Sequence, residues 1–437
     1  MKDKLVGNIL YSIIEKVFQI LSGFLASFFI IRLIDRESYG VIGIVAGFYA
    51  LVSIFNFSYE AIIIRDHKSI DKDELGHFLA FSVVKMFLLL ILSAGLATFL
   101  YMKYFSLSFV YAVGSIFFVF AIDFLSSPVM LYLTAKFRHD LISKISFLRY
   151  FTNVSLLIGL YKFPSLEYIF FKDCVVFTLV ILAWIFVLKK ILKVKTHFFN
   201  HFFNFDMNKF KSNVGDYSLW THLVSCVTYF IYRADTIFLS MFLPLRVIGN
   251  YSVALSCGNF ANIVPAILGF QNSVAISNTT ERTDIERISS SFSRVSIVSS
   301  IVMAIGLILF GEILLKIITG EQDVSEMFFF TKCIVIGLLL VKSLASPLVS
   351  VIQMKGSVKD LFIKVNIPVF IFTATSYFLS AKFYGARGVA IANIVNSLVW
   401  VSLVYIEFRS LGYKLTLTRG YLDDFKKILE VLRSKFC

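Results

Sequence analysis

Charged residues, cysteines and prolines are scarce in this chain, and each shortage excludes a class of protein. Charged residues make up 16% of the 437 residues, and the six prolines and 22 glycines are scattered without forming a linker. None of the five cysteines belongs to a C-x-x-C pair, so neither a zinc site nor a disulfide framework is indicated. The chain also lacks the G-x-x-x-x-G-K-[ST] loop of ATP-binding proteins and a cleavable signal peptide. We expect no enzyme: no catalytic residues, no metal and no cofactor.

Apolar sequence dominates instead. Hydrophobic residues make up 58% of the chain and the mean hydropathy is +0.81, values typical of a protein that crosses a membrane many times. Because about 20 helical residues cross a bilayer, the apolar runs predict an all-α polytopic fold of about twelve transmembrane helices. The predicted spans are 6–31, 39–64, 78–101, 106–132, 142–161, 168–188, 213–242, 248–277, 295–318, 328–352, 362–380 and 386–408.

Basic residues in the loops predict which side of the membrane each loop occupies. The two ends and the loops on their side hold 27 Lys and Arg residues, whereas the opposite loops hold 7. Since cytoplasmic loops carry the excess of Lys and Arg, both termini are predicted to be cytoplasmic. The formal net charge of +14 therefore belongs mainly to one membrane face. It indicates topology and attraction to anionic lipid rather than nucleic-acid binding.

The longest connection between spans lies near the middle of the chain and divides them into six and six. It predicts an N-terminal six-helix bundle over 1–195, a basic cytoplasmic linker over 196–212 and a C-terminal six-helix bundle over 213–410. In the remaining tail, 411–437, apolar side chains recur at helical spacing among lysines and arginines. This pattern is typical of an amphipathic helix that lies on the cytoplasmic surface of the membrane.

Six basic residues lie too deep in the predicted spans to be dismissed as surface charges. They are Lys16, Lys85, Arg149, Lys172, Arg233 and Lys342. Lipid tolerates such charges only when they face protein or water, so each of them is a candidate site residue. The same spans contain four acids: Glu15, Asp123, Asp173 and Asp235. A structural ion pair therefore stays open as an alternative for each cation, above all for Lys172, whose neighbour Asp173 is a ready partner.

Several spans also carry a stripe of polar residues at helical spacing. In a soluble helix such a face meets solvent, but in a membrane it turns toward the protein interior. The stripes predict that several helices face a common polar interior. Their members include Glu15 and Gln19 in span one, Tyr229 and Arg233 in span seven, Asn259 in span eight, and Asn393, Asn396 and Trp400 in span twelve.

Three stretches resemble one known family. They are RLIDRESYGVIGIVAGFYALV at 32–52, YRADTIFLSMFLPLRVIGNYSVA at 232–254 and YGARGVAIANIVNSLV at 384–399. On these stretches the chain is similar to the Wzx-type flippases of lipid-linked oligosaccharides. These are polysaccharide biosynthesis proteins of the superfamily of multidrug, oligosaccharidyl-lipid and polysaccharide exporters. With the span count and the division into halves, the resemblance covers nearly the whole chain.

The resemblance implies both an architecture and a substrate. The architecture is that of the MATE (multidrug and toxin extrusion) transporters, with two six-helix bundles around a central cavity that opens alternately to each side. The implied substrate is an undecaprenyl-diphosphate-linked oligosaccharide repeat unit, moved to the outer leaflet of a bacterial cytoplasmic (inner) membrane for O-antigen or lipopolysaccharide synthesis. A polysaccharide polymerase and a chain-length regulator are the candidate protein partners.

This substrate gives the deep charges their expected roles. Fixed cations offset part of the cost of removing a diphosphate from water, because charges attract strongly at low effective dielectric. We assign the six deep cations to substrate binding, with Arg233 foremost because its planar fork binds two phosphate oxygens. On a continuous helix Asp235 points away from Arg233, so we expect it to orient a neighbouring helix or to carry a coupling proton. Asp123 and Glu15 are the other coupling candidates.

Two alternative functions stay open. A cation-coupled multidrug exporter of the same superfamily would need a net acidic cavity, whereas the deep charges of this chain count slightly basic. A membrane-embedded polysaccharide polymerase or ligase would need room for a periplasmic active site, and the loops opposite the termini are short.

The predicted topology can be tested in the loop that joins the two halves. In a chain whose native cysteines have been replaced, Asn204→Cys should resist a membrane-impermeant maleimide in intact cells and react after permeabilisation. Lys162→Cys, in a loop predicted to be periplasmic, is the matched control and should react in intact cells. Labelling of residue 204 in intact cells would overturn the predicted orientation.

Overall fold

The computed structural model describes residues 2–52, 72–136, 138–191, 207–260, 272, 275–276, 279–421 and 424. Over these residues the chain forms helices joined by short turns and contains no strands, in agreement with the predicted all-α fold. The chain divides into two compact units, 1–222 and 223–437. Residues 192–206, which include most of the predicted linker, lie outside the described residues.

The described part of the first unit contains six helices and the start of a seventh. They are α1 (Lys2–Leu33), α2 (Arg36–Val52), α3 (Lys72–Tyr104), α4 (Ser108–Ala135), α5 (His139–Leu157), α6 (Leu166–Phe186) and α7 (Met207–Ile231). A 3₁₀ turn at Ile158–Tyr161 prolongs α5, and a π-helical turn at Val187–Ile191 prolongs α6. The side chain of Ser165 caps α6 by accepting a hydrogen bond from the Tyr168 N–H at 3.3 Å.

An apolar core holds the first unit together. Helices α3, α4, α5 and α6 contribute Leu75, Ile122, Val129, Ile142 and Val180 to it, each at most 2% exposed. Burial of each such side chain stabilises a protein by roughly 1.5–3 kcal/mol relative to exposure to water. Inside a bilayer the surrounding lipid is as apolar as these side chains, so this free-energy gain does not drive the helices together there. Close packing between the helices determines which of them associate.

The second unit contains the end of α7 and six further helices among the described residues. They are α8 (Ala234–Phe242), α9 (Leu245–Phe260), α10 (Arg282–Thr319), α11 (Ser325–Leu340), α12 (Ser346–Lys355) and α13 (Ile367–Ser410). A π-helical turn at Val341–Ala345 connects α11 to α12, and short helical turns at Val358–Asp360 and Leu361–Asn366 lead into α13.

Helix α13 supplies two predicted spans in succession, and Gly385 divides them. Its backbone angles are φ 62° and ψ −152°, a combination that only glycine adopts readily, so the sequence Tyr384–Gly385 sets the point at which the chain turns. Each of the twelve predicted spans thus overlaps at least one described helix. Seven helical segments in the described ranges are long and apolar enough to cross a membrane by themselves.

Helix α10 shows how the sequence divides its faces between protein and lipid. Val302, Leu309 and Phe310 are each more than 60% exposed, whereas Ser289 and Ser293 are fully buried. An exposed apolar face and a buried polar face are the reverse of the arrangement in soluble helices. The exposed side chains of α10 therefore contact lipid when the protein lies in a membrane.

The described part of the C-terminal tail lies against the first turns of α10. The Lys414 N–H donates to Glu286 Oε1 at 2.9 Å, and the Thr416 N–H donates to Ser290 Oγ at 3.0 Å. Arg282 donates to the carbonyl of Gly412. These bonds hold an extended segment of the tail on the protein, whereas most of the predicted surface helix lies outside the described residues.

A buried ion pair completes this contact. Arg294 Nε lies 2.6 Å from Asp424 Oδ2, and the two side chains are 9% and 7% exposed. Arg294 Nη1 also donates to the Thr416 carbonyl at 2.7 Å, and Ser291 Oγ donates to Asp424 Oδ1 at 2.7 Å. Removal of one partner of a buried ion pair leaves an uncompensated charge, which costs about 3–5 kcal/mol.

Two truncations test the importance of this ion pair. Removal of residues 419–437 deletes Asp424 and should lower the melting temperature and yield of the detergent-solubilised protein, because Arg294 loses its partner. Removal of residues 425–437 keeps Asp424 and is the matched control, expected to melt like the full chain. Arg294→Met combined with removal of residues 419–437 should recover part of the loss, because the arginine left without Asp424 is removed as well. Equal melting temperatures for the two truncations would show that the ion pair does not stabilise the fold.

Candidate functional site

The second unit contains a cavity of about 200 Å³ between α7, α9, α11 and α13. Its lining combines one arginine with aromatic rings and side-chain amides, and it includes no carboxylate among the described residues. Two of the three stretches on which the family resemblance depends, 232–254 and 384–399, contribute to its wall. The lining residues are Tyr229, Ile231, Tyr232, Arg233, Leu255, Asn259, Ile334, Gly337, Leu338, Val341, Tyr377, Asn393, Asn396, Ser397 and Trp400.

Arg233 lies at a break between two helices, and the prediction of one continuous helix over 213–242 is wrong at this point. Helix α7 ends at Ile231 and α8 begins at Ala234. Arg233 has φ −125° and ψ −4°, and its N–H donates to the Phe230 carbonyl at 2.9 Å, three residues back. Polar groups can satisfy an opened backbone only where protein or a cavity surrounds it. The predicted opposition of Arg233 and Asp235 across a regular helix therefore does not apply.

Arg233 and Asp235 have different surroundings. Within the described part of the chain, the Arg233 guanidinium makes no ion pair and no hydrogen bond, and it lines the cavity. Asp235 is 1% exposed and does not line the cavity. Its Oδ2 accepts a hydrogen bond from the Tyr251 hydroxyl of α9 at 2.9 Å, and its Oδ1 accepts one from the Thr236 N–H at 2.7 Å. Asp235 thus contacts a neighbouring helix, while Arg233 faces open space.

Helix α13 builds a second wall of this cavity and depends on a glycine of α11. Asn393 Nδ2 donates to the Tyr377 hydroxyl at 3.0 Å. A β-carbon at Gly337 would lie 2.1 Å from Asn393 Oδ1 and 3.0 Å from Ser397 Oγ, far inside van der Waals contact. Glycine at 337 therefore lets the polar side of α13 approach α11 and holds the Asn393 amide in place.

The first unit contains a smaller cavity, of about 150 Å³, which brings together charged residues of α1, α4 and α5. Arg149 Nη1 lies 2.7 Å from Asp123 Oδ1. Glu15 Oε1 accepts a hydrogen bond from Ser146 Oγ at 2.8 Å. Gln19 also lines this cavity, so the polar stripe predicted on span one faces it. Two carboxylates and one guanidinium make this cavity acidic in formal charge when all three groups are ionised.

Lys172 belongs to a buried network in the first unit. Its ammonium pairs with the carboxylate of Asp173 and donates to Asn153 Oδ1 at 2.7 Å. The other Asp173 oxygen accepts a hydrogen bond from Ser115. The Lys172 and Asp173 side chains are 5% and 10% exposed. The ion-pair alternative for Lys172 is therefore realised in this structure, and its ammonium is already engaged without substrate.

Of the other three predicted cations, Lys85 is buried, and the side chains of the two remaining lysines lie outside the described residues. Lys85 is 1% exposed, and its ammonium lies 4.9 Å from the centroid of the Phe124 ring and 5.5 Å from that of Phe81. Such cation–π contacts stabilise a desolvated ammonium. The side chains of Lys16 and Lys342 lie outside the described residues, so their assignment to substrate binding stays a prediction.

Sequence reasoning did not single out three residues that shape the second-unit site: Gly337, Tyr251 and Tyr377. Gly337 interrupts an otherwise bulky apolar run, which is the signal by which a close approach of helices can be suspected. Tyr251 lies in one of the stretches that resemble the family. Its hydrogen bond to Asp235 joins residues 16 apart, so the local sequence does not predict it. Among the described residues, no cluster of three His, Cys, Asp or Glu side chains is placed to hold a metal ion.

Solved structures of low sequence identity share the fold of this chain. An inward-facing multidrug resistance transporter of the MATE family, in the MOP superfamily, superposes with a TM-score of 0.65 at 14% identity, covering 90% of this chain and 95% of that one. The lipid II flippase MurJ, in an inward closed conformation, gives a TM-score of 0.60 at 16% identity, covering 96% and 90%. No family model matches the chain, and no curated protein matches it significantly.

A third structure differs in the character of its binding pocket. It is a MOP-superfamily transporter from Pyrococcus furiosus, described by a reverse polarity of the binding pocket that suggests a different function. Its TM-score is 0.57 at 12% identity, and it covers 94% of this chain and 97% of that one. These similarities confirm the predicted MATE-like, multi-pass membrane fold. The chain has the fold of the MOP-superfamily transporters.

A double substitution separates structural from substrate-binding cations. Lys172→Met should lower the melting temperature of the purified protein, because it leaves the Asp173 carboxylate buried without its cation, at a cost of about 3–5 kcal/mol. Lys172→Met/Asp173→Asn removes both charges and should melt closer to the unmodified chain. Arg233→Met, which breaks no ion pair of the described residues, is the matched control and should leave the melting temperature nearly unchanged. A stable single Lys172→Met variant would contradict the structural role.

Proposed function

We propose that this protein is a flippase that moves undecaprenyl-diphosphate-linked oligosaccharide repeat units from the cytoplasmic to the outer leaflet of a bacterial cytoplasmic membrane. Its site is the cavity of the second unit, exposed alternately to the two sides of the membrane. The product is a repeat unit for surface polysaccharide synthesis, which a polymerase and a chain-length regulator consume. The family resemblance of three stretches suggested this substrate, and the arrangement of Arg233 supports it.

The observation that carries the proposal is the unpaired guanidinium of Arg233 at the wall of that cavity. Arg233 is partly buried, and a partly buried arginine that makes no hydrogen bond or ion pair is available to an anionic ligand. Arginine suits a diphosphate because its planar fork donates to two oxygens at once. No carboxylate of the described residues lines this cavity, and the nearby Asp235 carboxylate, which Arg233 attracts, accepts its hydrogen bonds from Tyr251 and Thr236.

The helix break adds to the attraction for an anion. The N-terminal end of α8 carries the partial positive charge of the helix dipole, and of its first N–H groups that of Thr236 donates to the Asp235 side chain. Half-helices whose N-termini point at anionic substrate groups recur in membrane transporters. The backbone at Tyr232–Arg233 is opened at the cavity wall, as such a site requires.

The size of the cavity limits what it holds. Pockets for drug-sized ligands occupy about 300–1,000 Å³, whereas this cavity occupies about 200 Å³. It therefore accommodates the diphosphate and the groups next to it, and not a whole repeat unit. The remaining sugars and the lipid tail lie outside it during transport.

The first-unit cavity supports a coupling role. Glu15 and Asp123 are carboxylates beside a single arginine, Arg149. We propose that a proton or cation taken up by this acidic pair drives the conformational change, and that Arg149 serves the coupling group and not the substrate. Asp235 in the second unit is a further candidate proton carrier, buried and hydrogen-bonded by the Tyr251 hydroxyl of the neighbouring helix.

A cation-coupled multidrug exporter is the second candidate, and the acidic first-unit cavity favours it. An exporter of cationic drugs would bind its substrate beside Glu15 and Asp123, and Arg233 would then be dispensable. A polymerase or ligase has no such specific observation in its favour. The two candidates thus differ in which unit binds the substrate.

Substitution of Arg233 tests the proposal directly. In proteoliposomes that contain a fluorescent undecaprenyl-diphosphate N-acetylglucosamine, the unmodified protein should move the probe between leaflets, measured by its access to a membrane-impermeant quencher. Arg233→Ala should abolish this movement at normal protein amounts, and Arg233→Lys should keep part of it, because the charge remains but the fork does not.

Arg246→Ala is the matched control, because Arg246 is an exposed arginine of the adjacent helix α9 and does not line the cavity. It should transport normally. Unchanged transport by Arg233→Ala would refute the role of the second-unit cavity. Efflux of a cationic dye that requires Glu15 and Asp123 but not Arg233 would establish the exporter instead.

A further inference from the structure

Aromatic side chains line the cavity beside Arg233. The ring centroids of Tyr232 and Trp400 are 5.3 Å apart, with an angle of 45° between the planes. Tyr229, one turn before Arg233, is 43% exposed and lines the same cavity. Aromatic faces are apolar in their centre, and Tyr and Trp add a polar group at the edge. We refer to Tyr229, Tyr232, Trp400 and Asn396 as the aromatic–amide wall.

Asn396 contributes a buried side-chain amide that lies close to the Tyr377 hydroxyl. Its Oδ1 accepts a hydrogen bond from Ser376 Oγ at 2.7 Å, which fixes the orientation of the amide. Its Nδ2 has no well-placed acceptor in the described part of the chain, although the residue is only 4% exposed. A buried donor without a well-placed acceptor destabilises a fold, so its presence at a cavity wall requires an explanation. A ligand that brings an acceptor to Asn396 supplies one.

A sugar ring matches both halves of this wall. A pyranose presents C–H bonds on its face, which pack against aromatic rings, and hydroxyls around its edge, which accept from amide donors. A phosphate group has no apolar face to pack against the rings, and a lipid tail has no acceptor for an amide donor. In a diphosphate-linked glycan the first sugar is bonded to the phosphate, so a diphosphate at Arg233 places that sugar beside the wall.

We propose that the aromatic–amide wall recognises the first sugar of the lipid-linked substrate, so that the second unit binds a sugar in addition to the diphosphate. This inference rests on the proposed function. It assigns Trp400 and Asn396 as specificity-determining residues and Arg233 as the residue that binds every diphosphate lipid alike. The wall thus distinguishes a loaded carrier lipid from an empty one.

Tryptophan fluorescence can test this assignment, because the chain has only three tryptophans. Trp184→Phe/Trp220→Phe leaves Trp400 as the single reporter in the full chain. The purified variant is titrated in detergent with undecaprenyl-diphosphate N-acetylglucosamine or with undecaprenyl diphosphate. Binding of both lipids is measured separately by a labelled-protein assay. Only the sugar-bearing lipid should change the Trp400 emission.

The matched reporter is Trp184, which lines the cavity of the first unit. With Trp220 and Trp400 replaced by Phe, emission from Trp184 should not respond to either lipid. Asn396→Leu should weaken binding of the sugar-bearing lipid up to about tenfold, as expected for the loss of one hydrogen bond, and leave binding of undecaprenyl diphosphate unchanged. Its melting temperature serves as the check on folding, and Asn396→Ala, which removes the amide without adding a charge, provides a second variant with the same expected selectivity if the leucine variant is unstable.

The outcomes separate the inference from the proposed function. If both lipids bind with equal affinity and change Trp400 alike, or neither changes it, the site reads only the diphosphate and the sugar assignment fails while the flippase proposal stands. If neither lipid binds and Arg233→Ala makes no difference, the proposed function fails and the sugar assignment fails with it. Loss of both lipids in Arg233→Ala, with selective loss of the sugar-bearing lipid in Asn396→Leu, supports both.

Discussion

The structure depends on one constraint: inside a membrane, polar and charged groups must find their partners within the protein. Lys172 finds Asp173, Asp235 finds the Tyr251 hydroxyl, and Arg294 finds Asp424. Against this background the unpaired Arg233 stands out among the described side chains. In the proposed function a bound diphosphate supplies its partner. The same constraint explains why the helix break lies at a cavity wall and not at the lipid-facing surface.

Most of the fold followed from the apolar runs, because a span is set by length and hydropathy and both can be read locally. The turn at Gly385 can also be inferred from the sequence, since a glycine between two apolar runs favours a turn. The break at Tyr232–Arg233 was not, because nothing in YRADT interrupts helical propensity as a proline would. Tertiary contacts open the helix there. The tail was assigned to the membrane surface by its periodicity, and the sequence held no sign that Asp424 would meet Arg294.

The polar stripes indicated several residues that line the same cavity. They did not indicate which cations form ion pairs. Glu15 and Gln19 line one cavity, and Asn259, Asn393 and Trp400 line the other. Stripe membership depends only on helical spacing, which is local. Whether a cation is paired depends on what a distant helix brings to it. Arg149 and Arg233 look alike in sequence, yet Arg149 forms an ion pair with Asp123 of α4, whereas Arg233 forms none among the described residues and feels Asp235 only at longer range. That difference decides which of the two is available to an anionic ligand.

The contact between the tail and α10 has a consequence for biosynthesis. Arg294 and Asp424 are separated by 130 residues, and chains are synthesised at about 5–20 residues per second. Asp424 is therefore synthesised on the order of ten seconds after Arg294. During this interval the first turns of α10 carry an uncompensated cation and lack the tail that covers them. This ion pair of the second unit therefore forms only after the 130 residues that follow Arg294, the last of them Asp424, have been synthesised.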